Sequence, residues 1–173
     1  MDKITEDRIK TLHPKIREDV SSIVKECNER LAGGKFGIMI RIAEAVRTWA
    51  EQDKKYAQGR TAPGPIVTYA KGGDSVHNYG LAVDIVFMFD KNNDGKWEEA
   101  SWDFFKDHDG DGQIDFEEID FVFKKYGFVG LYKSNGKRWD FPHFQRTYGY
   151  TVAQMKDLFL KGKCIPNTNY VNI

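Results

Sequence analysis

The sequence predicts an α+β fold on three observations. Hydrophobic periodicity switches along the chain in the order helix, strand, helix, strand, helix, strand. The 173 residues suit one compact domain, 1–173, with a sizeable core. The polar interruptions, a loop over 60–80 and an acidic block over 90–126, lie between periodic segments, and no low-complexity linker divides the chain.

A short first helix is expected with Thr5 as N-cap and Glu6-Asp7 in its first turn. Residues 14–31 read as a helix: Ile16, Val20, Ile23, Val24, Cys27 and Leu31 share one face, Pro14 starts it and Gly33-Gly34 stops it. Residues 36–42 read as a strand, and Thr48 caps a helix that Gly59 closes. Residues 81–89 form the clearest strand, apolar almost throughout except at Asp84. An amphipathic helix near 116–126, strands at 127–132 and 139–145, and a helix at 151–161 capped by Thr151 complete the list. The tail from Gly162 onward reads as loosely held. Cys27 lies on a helical apolar stripe and reads as a buried thiol, with a disulfide to Cys164 left open.

Net charge is zero, but residues 85–126 hold 5 Lys/Arg against 12 Asp/Glu, and the remainder carries the opposite excess. An acidic block in a mildly basic body points to a cation site on a surface tolerant of anionic polymers. No basic stripe with interleaved aromatics points to nucleic acid, and no apolar run has the roughly 20 residues a membrane helix needs.

Asp84 is the residue that most needs explaining. A carboxylate inside an apolar strand is costly unless it is paired or binds metal. His77 precedes it by one turn, and His143 stands in the late segment Trp139-Asp140-Phe141-Pro142-His143. Two imidazoles and a carboxylate form a three-ligand set for catalytic zinc, with one position left for water. Asp140 is then placed to accept that water's proton and pass it to a leaving amine. Spacing alone leaves a second reading open, in which Asp84 is a buried carboxylate paired with an arginine.

The surrounding residues carry a resemblance. Ser75-Val-His77-Asn-Tyr-Gly80-Leu-Ala82-Val-Asp84 and Asp140-Phe-Pro-His143-Phe-Gln145 resemble the two metal segments of the M15 zinc peptidases. Arg47 followed by Glu51-Gln52, then Tyr56 to Thr61 and Pro63-Gly64, match further segments in order. The likeness is to the L-alanyl-D-glutamate endopeptidases, found as phage endolysins and wall-remodelling enzymes, and covers nearly the whole chain except the acidic block. It implies an M15/hedgehog-like fold, a small antiparallel sheet packed with helices, forming a single catalytic domain, one zinc on His77, Asp84 and His143, and Asp140 as general acid/base. Arg47 would polarise the substrate carbonyl or hold a substrate carboxylate, the alternative being a structural salt bridge. Ser75 and Gln52 are the further substrate-binding candidates, although Ser75 could merely set the loop and Gln52 merely fasten the helix. His13 and His108 match no motif and read as incidental.

Asp107-His-Asp109-Gly-Asp111-Gly112-Gln113-Ile-Asp115-Phe-Glu-Glu118 fits the EF-hand calcium pattern. Asp107, Asp109, Asp111 and Glu118 supply carboxylates, Gln113 its carbonyl, and Asp115 a contact through water. The loop Asp90-Lys-Asn92-Asn-Asp94-Gly-Lys96 begins the same way but has Ser101 where the closing Glu belongs. It offers Asp90, Asn92, Asp94 and Lys96 for a second calcium site that lacks the closing acid, and one helix over 98–106 would have to serve both loops. Calcium ordering this insertion would align the zinc ligands and raise activity.

The implied reaction is hydrolysis of the L-Ala–D-Glu bond of peptidoglycan stem peptides by a monomer. The alternatives are a D,D-carboxypeptidase or dipeptidase of the same superfamily, or a non-enzymatic calcium and zinc binding module. The N-terminus lacks a signal-peptide apolar core. The expectation is synthesis in the cytoplasm and action on the cell wall as an endolysin, after release by a holin-like membrane-perforating partner.

Overall fold

The computed structural model describes residues 1–173. The chain runs through α1 (Lys3–Thr11), α2 (Pro14–Arg30), β1 (Gly37–Glu44), α3 (Trp49–Ala57), a 3₁₀ turn (Val76–Tyr79) and β2 (Ala82–Asp90). It continues through β3 (Glu99–Ser101), α4 (Asp115–Lys125), β4 (Val129–Tyr132), β5 (Arg138–Gln145) and α5 (Val152–Leu160). The fold is α+β, as the periodicity predicts. All strand pairs are antiparallel, in the order β1-β2-β5-β4. On its second edge β2 pairs with β5 at Ala82–Asp84 and with β3 at Phe87–Phe89.

The two faces of β2 explain the place of Asp84. Val83, Ile85, Phe87 and Phe89 point into the main core, where α2 contributes Ile16, Val20, Ile23, Val24 and Cys27. Val86 and Met88 point the other way and cover Met39. Asp84 shares their face, because side chains alternate along a strand. Its partners are Glu44 on β1 and His143 on β5, so three polar groups stand in a row across the sheet. A register irregularity after Ile42 places Glu44 in that row.

Local chemistry sets several of the element ends. Thr48 and Thr151 each cap their helix in reciprocal boxes, with Glu51 and Gln154 as partners. The cap of α1 is Asp2, not Thr5. Thr5 lies buried inside the helix, where its hydroxyl accepts from Ile42 N–H at 3.2 Å. No helix spans 98–106. Glu99–Ser101 completes the free edge of β2, and the Ser101 and Asp103 side chains accept from Asp103 and Phe105 N–H in local turns that compete with helix.

The tail is held rather than loose. Val171 is fully buried and its carbonyl takes His13 Nε2 at 2.9 Å, while Tyr170 Oη donates to Thr11 O at 2.7 Å. His13 is therefore a structural residue, since its Nδ1 also accepts from Lys15 N–H at the start of α2. Both cysteines are free thiols, and burial raises the pKa of Cys27.

Candidate active site and metal centre

His77 comes from the 3₁₀ turn, Asp84 from β2 and His143 from β5, directly opposite Asp84. Gly80 ends the turn at φ +69°, and a Cβ there would lie 2.7 Å from His13 N, so glycine is required. His77 Nδ1 faces Ala45 O at 2.7 Å, and His143 Nε2 faces Gln145 Oε1 at 3.0 Å. Both partners are acceptors, so those nitrogens carry the protons and the other nitrogen of each neutral ring presents a lone pair.

Those two lone pairs and one Asp84 oxygen meet at a point. His77 Nε2 lies 3.2 Å from His143 Nδ1, His143 Nδ1 lies 3.1 Å from Asp84 Oδ1, and His77 Nε2 lies 3.3 Å from Asp84 Oδ1. Tetrahedral zinc with bonds of about 2.0–2.1 Å spaces its ligands about 3.3 Å apart. Three converging acceptors repel one another without a cation, so the donor set fits the ion in both chemistry and size. Burial opposes ionisation of Asp84, yet in the metal-free site, where a proton takes the place of the ion, donation from His143 and His77 holds its carboxyl well below the usual range. Burial disfavours charged His143, but Asp84 outweighs it and raises the metal-free imidazole.

The triad lies in a cleft of about 710 Å³ whose walls include Arg47, Ser75 and Asp140. Burial, then the charge of Asp84, raises the Asp140 carboxyl above the ordinary range. Arg47 is nearly buried: Nε donates to Glu44 Oε1 at 2.7 Å, Nη2 to Glu44 Oε2, and Nη1 to Gln52 Oε1 at 2.6 Å. It is thus both a salt-bridge partner and a wall of the cleft. Gln52 does not reach the cleft, which corrects the expectation of substrate contact. It is fully buried under Arg47, and its amide donates to Ala70 O at 2.7 Å, fastening the long loop to α3.

Sequence reasoning missed several residues around this site. Glu44 holds both Arg47 and Lys55. Asn78 accepts from Gly73 and Ser75 N–H and donates to Arg47 O, tying the loop to the arginine. Gln145, the last residue of the second motif, fixes the His143 tautomer. Replacing it with alanine is expected to weaken zinc binding about 10–100-fold, as removal of such outer partners does elsewhere. Competition against a chromophoric chelator measures this, and a change below twofold would show that the bond is dispensable.

The acidic block folds unevenly. One carboxylate oxygen each from Asp107, Asp109 and Asp115 lie within 4.8 Å of one another, as do those from Asp109, Asp111 and Glu118. Burial pushes the Asp115 carboxyl up to about 6, although it accepts from His108 N–H. Gln113 donates its N–H to Asp111 Oδ1 at 2.7 Å. His108, besides this backbone role, packs its ring on Phe87 and Phe89. The loop at 90–101 gathers no comparable group. Asp90 accepts from Asp94 and Gly95 N–H, Asp94 pairs with Lys96 at 3.2 Å beside Asn92, and Ser101 lies in β3. The second calcium site is therefore without its closing acid, and the shared helix is absent.

The peptidoglycan L-alanyl-D-glutamate endopeptidase CwlK of Bacillus subtilis (strain 168) is 36% identical to this chain over 135 residues, which cover 78% of this chain and 72% of CwlK. The structure of the Serratia marcescens L-Ala D-Glu endopeptidase ChiX is similar at 18% identity and TM-score 0.46, covering 86% of this chain and 90% of that one. That of the L,D-carboxypeptidase DacB from Streptococcus pneumonia is similar at 16% identity and TM-score 0.47, covering 82% and 70%. No protein-family model matches. On the identity and coverage with CwlK, the chain belongs to the M15 zinc peptidases, the family of the peptidoglycan L-alanyl-D-glutamate endopeptidases.

Proposed function

We propose that this chain hydrolyses the L-Ala–D-Glu bond of peptidoglycan stem peptides, with zinc held by His77, Asp84 and His143. The observation that carries this reading is the convergence of three lone pairs, 3.1–3.3 Å apart, in an open cleft that also holds Asp140. The relationship to CwlK supports the bond assignment. Bound zinc would supply Lewis acidity, lowering the pKa of a water from about 15.7 to ~7 and polarising the scissile carbonyl.

The chain's own residues supply the rest. Asp140 takes the proton of the attacking water and returns it to the leaving amine. Glu44 and Gln52 occupy three of the five N–H groups of Arg47, leaving one on each terminal nitrogen for a substrate carbonyl or carboxylate. Ser75, at the cleft wall, orients the peptide. In this reading 1–173 is a single catalytic domain, and 90–126 is a calcium-responsive insertion within it. The protein acts on the wall as a monomeric lytic enzyme, and a membrane-perforating partner gives it access. Cutting the stem peptide severs the cross-linked wall, the chemistry an endolysin needs.

Mass spectrometry of purified peptidoglycan digested by the zinc-loaded protein tests the bond. New N-terminal D-Glu, lost on chelation, is expected. Release of D-Ala alone would replace the endopeptidase assignment with a carboxypeptidase.

A further inference from the structure

We propose that the loop 107–118 binds one calcium ion, and that this ion acts on the peptidase site through Asp120 and Arg138. The proposal rests on the peptidase reading for its consequence, but not for the calcium site itself. The observation that points to a ligand is Glu118. Its side chain is only 9% exposed, and its Oε2 is buried without a hydrogen-bond partner. The nearest cation, Arg30 Nη1, is 3.8 Å from the other oxygen, Oε1, too far for a hydrogen bond.

A buried carboxylate oxygen without a partner is costly. Here the Glu118 carboxylate stands within 4.8 Å of carboxylate oxygens from Asp109 and Asp111, which makes the cost greater unless a cation lies between them. Asp109 also belongs to the neighbouring group with Asp107 and Asp115, so five acids surround one small region. The donors are all oxygens, and opposite ligands of calcium, at 2.3–2.6 Å each, stand about 4.6–5.2 Å apart. Magnesium demands shorter bonds and keeps several waters, and zinc prefers nitrogen or sulfur. Calcium fits best.

The link to the peptidase site is continuous. Glu118 lies on α4, and two residues on Asp120 Oδ1 accepts from Arg138 Nη1 at 2.5 Å. Arg138 is almost fully buried, with its guanidinium 4.2 Å from the Phe144 ring and 4.8 Å from that of Phe116 on α4. Its Nη2 donates to His143 O at 2.8 Å and Phe141 O at 3.0 Å, and its Nε donates to Asp140 O at 3.3 Å. The backbone that carries Asp140 and His143 is therefore clamped from α4. An ion that fixes the first turn of α4 fixes the clamp, and by reciprocity zinc on His143 must tighten calcium on Glu118. Asp120 and Arg138 are positioning residues in this scheme.

Calorimetric titration of calcium chloride into the full chain, with and without zinc, tests both parts. One calcium per chain is expected, about tenfold or more weaker in Glu118→Gln. Zinc is expected to tighten it by a factor in the usual range of about 5–150, and this factor shrinks towards one in Asp120→Asn and Arg138→Lys. Turnover of peptidoglycan by the zinc-loaded protein should rise along the same calcium isotherm. No calcium binding, or wild-type affinity in Glu118→Gln, overturns the site. Equal calcium affinity with and without zinc overturns the coupling. Calcium binding with zinc linkage but no turnover at any calcium concentration would remove the peptidase reading and leave this inference standing.

Discussion

Replacing His143 with alanine is expected to strip zinc from the protein and lower turnover by at least about 10³-fold. A metal ion of this kind supplies several kcal/mol of transition-state stabilisation, and about 4 kcal/mol corresponds to that factor. Only His77 and Asp84 would remain, one protein ligand short of the three that a catalytic zinc site uses. The fold should survive: His143 sits at the cleft end of β5, whereas its neighbour Phe144 is the core residue, stacked on Phe123 at 3.8 Å. Metal analysis after dialysis against a weak chelator, beside turnover and a thermal melt, separates these effects. A variant that keeps one tight zinc and near-normal turnover would end the assignment. Acid works in the same direction. Asp84 raises the metal-free His143 pKa despite burial, and zinc needs the lone pair that the proton occupies. Zinc release should therefore begin at a higher pH than ordinary imidazole would set.

Much of the fold is written locally and was legible for that reason. The stripe of α2, and the caps at Thr48 and Thr151, depend only on neighbours a few residues away. The errors arise where distant groups decide. Asp2 and Thr5 can both cap a helix, and the choice falls to Asp2 because the Thr5 hydroxyl is committed to Ile42 on β1. The segment 98–106 has helix-forming residues at its start, but the open edge of β2 captures Glu99–Ser101. The tail looks polar, yet Val171 finds a buried place beside His13.

The same division runs through the site. Nothing in the spacing of His77, Asp84 and His143 reveals that β2 and β5 pair with Asp84 opposite His143; the wording of the motifs around them signalled a metal set. Gln52 reads as a substrate contact or as a fastener of its helix, and only the return of the 60–80 loop, whose Ala70 carbonyl takes its amide, decides for the second. Glu44 enters the row through a register irregularity that no local pattern announces. Arg138 is the clearest case. Its partners Asp120, Phe141 and His143 lie on two different elements, so its role exists only once α4 packs on β5.

Asp140 carries the second large effect, and it separates chemistry from metal binding. Asp140→Asn should keep one zinc per chain and lower turnover by about 10²–10⁴-fold, the usual contribution of a positioned general acid/base. The amide keeps the size of the side chain but cannot accept the water's proton at neutral pH. The backbone should stay in place, because Arg138 holds the carbonyl of residue 140 and not its side chain. Burial raises the native carboxyl, so it can both take a proton and give it back. Substrate affinity should change less than turnover, since a general acid/base acts in the transition state. A fall confined to KM would make Asp140 a binding residue, and loss of zinc would make it part of the metal support. Retained zinc with a collapsed kcat leaves proton transfer as the role that fits, and places that proton three positions from His143 on the same strand.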